Sequence, residues 1–124
     1  FSVAYQHNGK LLYADKQIIP LPYDFDMSGL VDPSYAVANE ALGLRDIQDR
    51  AYRGFVRDEA LMIDVRAQFL NNKEAFFAII NSFKTQFDNP KEHQEVVDYI
   101  ATFFDVIESD KLFQSNIMDK MRTK

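Results

Sequence analysis

The densest group of oxygen ligands in the chain is Tyr23-Asp24-Phe25-Asp26, followed by Ser28 and Gly29. Two carboxylates two positions apart, after a strand-like run, can both reach a divalent cation where the backbone turns. Mg²⁺ takes one or two protein carboxylates and leaves its other positions to water and phosphate oxygens. In a continuing strand Asp24 and Asp26, two positions apart, would share one face. One of the two is expected as a direct ligand and the other as a supporting acid. The same two residues would equally serve to cap the turn into the loop that follows. Asn8, beside His7, is a second oxygen donor. It precedes a predicted hairpin that ends near Asp24, and a hairpin returns its two ends to one place. Asn8-Gly9 is also an ordinary turn dipeptide, and His7 an ordinary hydrogen-bonded surface residue. Arg50, Arg53 and Arg57, with Arg45 just before them, form the one basic cluster. Their i, i+3, i+7 spacing gives them one helix face if a helix persists past Gly54. That face would pair with Asp24 and Asp26 or grip a phosphate through bidentate contacts. Pairing with Asp46, Asp49 and Asp58 would explain the same arginines as surface charge.

Composition removes many other chemistries. The 124 residues include 14 Lys and Arg against 19 Asp and Glu, a net charge of −5, which is the wrong sign for a nucleic-acid footprint. Absence of Cys excludes disulfides, thiolate metal sites and cysteine nucleophiles. His7 and His93 are the two histidines and fall in different halves, which excludes a multi-histidine metal site. The glycines at 9, 29, 43 and 54 are scattered singly, so there is no phosphate-cradling loop. Ser2, Ser28 and Ser34 lack the context of a nucleophile elbow. No window approaches the ~18 apolar residues of a membrane span, and no signal-peptide pattern opens the chain.

The elements that must position these residues divide near residue 44. Residues 1–44 read as strands and loops, and residues 45–124 as a helical subdomain. Lys10 to Tyr13 and Gln17 to Tyr23 are apolar runs around a turn at Ala14-Asp15-Lys16, which predicts a hairpin. Pro20 and Pro22 remove ladder donors, so the second strand lies at an edge or leaves the sheet there. Met27 to Gly43 lacks periodicity and reads as a long ordered loop. Helices are predicted over Arg45 to Phe55 and over Asp58 to Leu70. Asn71 with Glu74 fits a capping-box start. The helix after it carries Phe76, Phe77, Ile79, Ile80, Phe83 and Phe87. Asn89-Pro90 opens the next one, with the stripe Val96, Val97, Ile100, Phe103, Phe104 and Ile107. Ser109 caps a last helix bearing Leu112, Phe113, Ile117 and Met121, and the basic, polar tail Lys120 to Lys124 is expected to fray at its end. The class is mainly α, of α+β type: a hairpin and loop, then a bundle of four to five helices. An isolated hairpin is marginal in water, so its neighbours are expected in a longer parent chain, before Phe1.

Three segments together resemble a known pattern: Gln6-His7-Asn8-Gly9-Lys10-Leu11-Leu12-Tyr13, Ile19-Pro20-Leu21-Pro22-Tyr23-Asp24-Phe25-Asp26-Met27-Ser28-Gly29-Leu30-Val31, and Ala51-Tyr52-Arg53-Gly54-Phe55. They resemble a family of uncharacterised bacterial proteins. That pattern in turn is similar to the atypical kinase-like group that includes CotH-type spore-coat kinases and, more remotely, HipA-type toxin kinases. The resemblance implies a C-terminal part of a kinase-like lobe. It implies Asn8 as the amide ligand that ends a catalytic loop and Asp24 as the metal-binding carboxylate, with Asp26 its acidic neighbour. Mg²⁺ and ATP would be the cofactors, and the N-terminal remainder of the parent protein the partner. The catalytic acid of such a site would lie upstream of Phe1, since Phe1 to His7 contain none. A non-enzymatic scaffold of the same type, or a helical interaction module, would carry the same residues as turn and ion-pair groups.

Overall fold

A computed structural model of the chain describes residues 8–123. Strand β1 (Gly9–Ala14) pairs antiparallel with β2 (Gln17–Pro22), in the register Lys10 to Leu21 and Leu12 to Ile19. Asp15 and Lys16 turn between them with φ of +50° and +61°. Two consecutive left-handed residues match the twist of the strands they join. Neither is glycine, so each carries the cost of a Cβ in this region. Replacing Lys16 with glycine is expected to stabilise the hairpin by about 0.5–1 kcal/mol. Amide exchange of the β1 and β2 ladder protons checks this, and faster exchange in the variant would refute it.

The loop after β2 is built from local turns. Ser28 N–H donates to Phe25 O, and Val31 and Asp32 N–H both donate to Ser28 O. Asn39 caps a single 3-10 turn, Glu40–Leu42, which Gly43 ends at φ +74°. Residues Arg45 to Phe55 are not helical, contrary to expectation. Asp49 Oδ2 takes the N–H groups of Arg45 and Asp46, and Asp46 Oδ1 takes that of Gln48. Short acidic side chains here capture the backbone donors that a helix would need. Those two bonds hold the Asp49 carboxyl below its ordinary range, with the Arg45 charge adding to them.

The chain divides into two compact units, with the boundary in the sequence between Asp49 and Arg50. Among the described residues of the first unit none is buried. The second unit holds four helices: α1 (Glu59–Asn71), α2 (Lys73–Ser82), α3 (Pro90–Glu108) and α4 (Asp110–Asn116). Asp58 caps α1 through Ala60 and Leu61 N–H, Asn89 caps α3 through Lys91, and Ser109 caps α4 through Leu112. The expected capping box at Asn71 does not form. Asn71 is the last residue of α1, and Asn72, one position on, donates its amide to Gln68 O instead of capping α2.

The core of this unit is Phe104, Ile107 and Phe113, flanked by Met62, Leu70, Phe77, Ile100, Phe103, Ile117 and Met118. His93, Val97, Ile100, Phe104 and Ile107 follow a 4-3-4-3 spacing, which lays one inward seam along α3. His93 belongs to that seam as a packing residue. It is buried, its ring meets Phe87 edge-on at 5.4 Å, and its Nε2 makes no hydrogen bond. Lys124, at the end of the tail expected to fray, lies outside the described residues. Arg122 N–H donates to Gly54 O, Val56 N–H donates to Arg122 O, and Arg122 Nε donates to Arg53 O. The Arg122 guanidinium also lies 4.6 Å from the Phe55 ring. These contacts tie Arg122 to residues 53–56.

Candidate functional site

The hairpin brings Asn8 and Asp24 together, as its geometry requires. Tyr23 N–H donates to Asn8 O at 3.0 Å, extending the ladder one pair past β1. The Asn8 side-chain amide then donates to the Asp24 carbonyl at 3.0 Å. Both residues are left-handed, Asn8 at φ +51° and Asp24 at φ +61°. Asn and Asp are the non-glycine residues that accept this region most readily. The chain therefore turns at both ends of the paired segment, and the Asn8 side chain bridges the two turns. Because the amide nitrogen is the donor to Asp24, the opposite end of the group is its oxygen.

Asp26 sits two residues beyond the second turn. Its Oδ2 accepts a hydrogen bond from the Tyr35 hydroxyl at 3.4 Å. Loss of hydration pushes the Tyr35 phenol above its ordinary value, and the charges of Asp26 and Asp24 push the same way. Tyr35 thus stands in the field of both acids, and sequence reasoning did not single it out. Its only sequence signal was its position in the loop that follows the acidic pair. Ser28 also belongs to this loop. Its hydroxyl is buried and makes no hydrogen bond, while its main chain anchors the turn. His7 lies outside the described residues.

Asp24 and Asp26 are solvent-exposed, and Asn8 is half-buried. Among the described residues no group of three or more His, Asp or Glu side chains gathers as a metal cluster. The donors here are one amide oxygen and two carboxylates, all hard oxygens. That set fits a cation which takes few protein ligands and completes its shell with phosphate and water, as Mg²⁺ does. It does not fit a cation that needs an all-protein cage.

The arginines do not share a face, because the helix that would align them is absent. Arg50 lies over the Tyr99 ring at 3.8 Å and donates to Tyr99 O and to Thr102 Oγ1. Arg53 gives its carbonyl to Arg122, and Arg57 donates to its neighbour Val56 O. The guanidinium of Arg50 is spent on anchoring its segment to α3. Asp49 and Asp58, offered as surface partners, instead receive backbone N–H groups. In the helical unit an open apolar groove of about 410 Å³ is lined by Gln68, Phe69, Asn72, Ala75, Phe76 and Ile79. None of the candidate ligands lines it.

Compared with family profiles, with curated proteins and with solved structures, this chain finds no match.

Proposed function

We propose that residues 8–49 are the metal- and phosphate-binding part of a kinase-like phosphotransferase, inactive as this chain alone. The observation that carries this reading is the Asn8 side chain seated on the Asp24 backbone at the open end of the hairpin. It holds together two residues that are 16 positions apart in the sequence. Asn8 and Asp24 would hold Mg²⁺, with Asp26 in support. The cation would supply charge neutralisation to the phosphates of a nucleotide. The chain's own residues do the positioning. Asn8 fixes the turn at Asp24, and Tyr35 orients the carboxylate of Asp26. The catalytic acid and the remaining nucleotide contacts would come from the rest of a parent protein.

The test is calorimetric titration of the 124-residue chain with MgCl₂ and with Mg-ATP, against ATP in EDTA. Mg-dependent nucleotide binding is expected. Asp24→Ala should weaken it by roughly 10–100-fold, the loss typical when a metal's supporting set is broken. Binding that ignores Mg²⁺, or that survives Asp24→Ala unchanged, would sink this reading and favour a non-enzymatic scaffold.

A further inference from the structure

The two outer edges of the hairpin are chemically unlike. Tyr23 N–H bonded to Asn8 O fixes Asn8 and Tyr23 as a hydrogen-bonded pair. Antiparallel pairs alternate, so Gly9 with Pro22, Leu11 with Pro20, and Tyr13 with Ile18 are the non-hydrogen-bonded pairs. The N–H and C=O groups of those six residues point away from the partner strand. On β2 two of the three outward residues are prolines, which have no N–H to offer. On β1 the outward residues Gly9, Leu11 and Tyr13 all keep theirs. Among the described residues no other strand joins this sheet, and no hydrogen bond reaches those outward groups of β1. Leu11 is 52% exposed and Tyr13 72% exposed.

An edge of alternating donors and acceptors is matched by another extended strand. We propose that the strand is β1 of a second copy of this chain, paired antiparallel about a two-fold axis at Leu11. The outward set is symmetric about that residue, so every N–H meets a C=O. Gly9 faces Tyr13 of the second copy, whose ring covers the backbone that glycine leaves bare. Leu11 faces Leu11. Lys10 faces Leu12, so no like charges stand directly opposite. The product is a four-stranded sheet in the order β2-β1-β1-β2. Its outer edges are the proline-bearing ones, so pairing closes at two copies and does not propagate. Two six-residue strands make a small interface, below the ~1,200 Å² of stable complexes, so the dimer is weak and concentration-dependent.

The chain has no cysteine, which makes a cross-linking test clean. In a hydrogen-bonded pair the Leu11 Cα atoms would lie about 5.5 Å apart, within disulfide range. Leu11→Cys should therefore oxidise to a covalent dimer at least tenfold faster than Ile18→Cys, which carries its thiol on the other edge. Sedimentation equilibrium of the unaltered chain should show dimer growing up to about 1 mM, and Leu11→Pro should remove it. Leu11→Pro takes away one outward donor and spares the hairpin's own ladder, while Ile18→Pro does the same on β2 and should leave association intact. Equal oxidation of the two cysteine variants would overturn the proposal. So would an unaltered chain that stays monomeric throughout. If Leu11→Pro fails to fold, the cysteine pair still decides, because neither cysteine alters the backbone donors.

Discussion

Phe104→Ala is expected to cost the helical unit about 3–5 kcal/mol, because Phe104 is the largest fully buried side chain among the described residues. Phe104 is wholly buried. Its ring meets Phe103 at 5.3 Å and both Phe76 and Phe77 at 5.7 Å, so it joins α2 to α3. The Lys73 ammonium lies 5.4 Å from the same ring. The core behind it is short, with Ile107 and Phe113 as the other buried apolar residues. A domain of this size has about 5–15 kcal/mol of net stability, so the loss consumes much of it. Urea denaturation followed by helical circular dichroism should show a lower midpoint with little change in slope. Phe104→Leu, which leaves a smaller void, should fall between. A midpoint shift worth less than about 1 kcal/mol would mean that the core is not organised around this ring.

The helical unit was legible because its signals are periodic and redundant. Asn89-Pro90 and Ser109 each supply a cap at a single defined position, and both caps form. Phe76 and Phe77 of the α2 stripe meet Phe104 of the α3 stripe, while α2 ends at Ser82 and leaves Phe83 and Phe87 of the expected stripe outside it. The hairpin was legible from two apolar runs and a polar turn, and its closure brings Asn8 to Asp24. What failed were readings that rest on one weak local cue. Arg45 to Phe55 has helical spacing of arginines, but Asp46 and Asp49 compete for the backbone and win. Asn71 and Glu74 have capping-box spacing, but the joint between α1 and α2 falls one residue later. Composition of the tail does not reveal that Arg122 has Phe55 and the Arg53 carbonyl to bind. Tyr35 was invisible because its partnership with Asp26 depends on how an aperiodic loop folds back.

Arg66 carries the second largest expected effect, and its magnitude turns on which of its contacts matters. Nε and Nη2 of Arg66 donate to the carbonyls of Ile107 and Glu108, at the C-terminal end of α3. Those carbonyls have no partner within their own helix, and Ile107 is buried, so the guanidinium meets an otherwise unmet need. The guanidinium also lies 4.6 Å from the Phe113 ring in the core. Its ion pair with Asp110, at 2.8 Å, looks stronger on paper, but the Asp110 side chain is 93% exposed. Water and salt reduce such a pair to well under about 1 kcal/mol. Arg66→Ala should therefore cost about 2–4 kcal/mol, from two charge-assisted bonds and a cation–π contact that are not fully additive. Asp110→Ala should cost about 0.5 kcal/mol or less. Arg66→Lys keeps the charge but cannot fork to two carbonyls, so it should recover less than half of the loss. Equal losses from Arg66→Ala and Asp110→Ala in urea titrations would show that the exposed ion pair holds this corner. An intact Arg66→Lys would show that charge, not the fork, holds it. The expected order, Arg66→Ala worst, Arg66→Lys intermediate and Asp110→Ala near neutral, follows only if the guanidinium acts as the cap of α3.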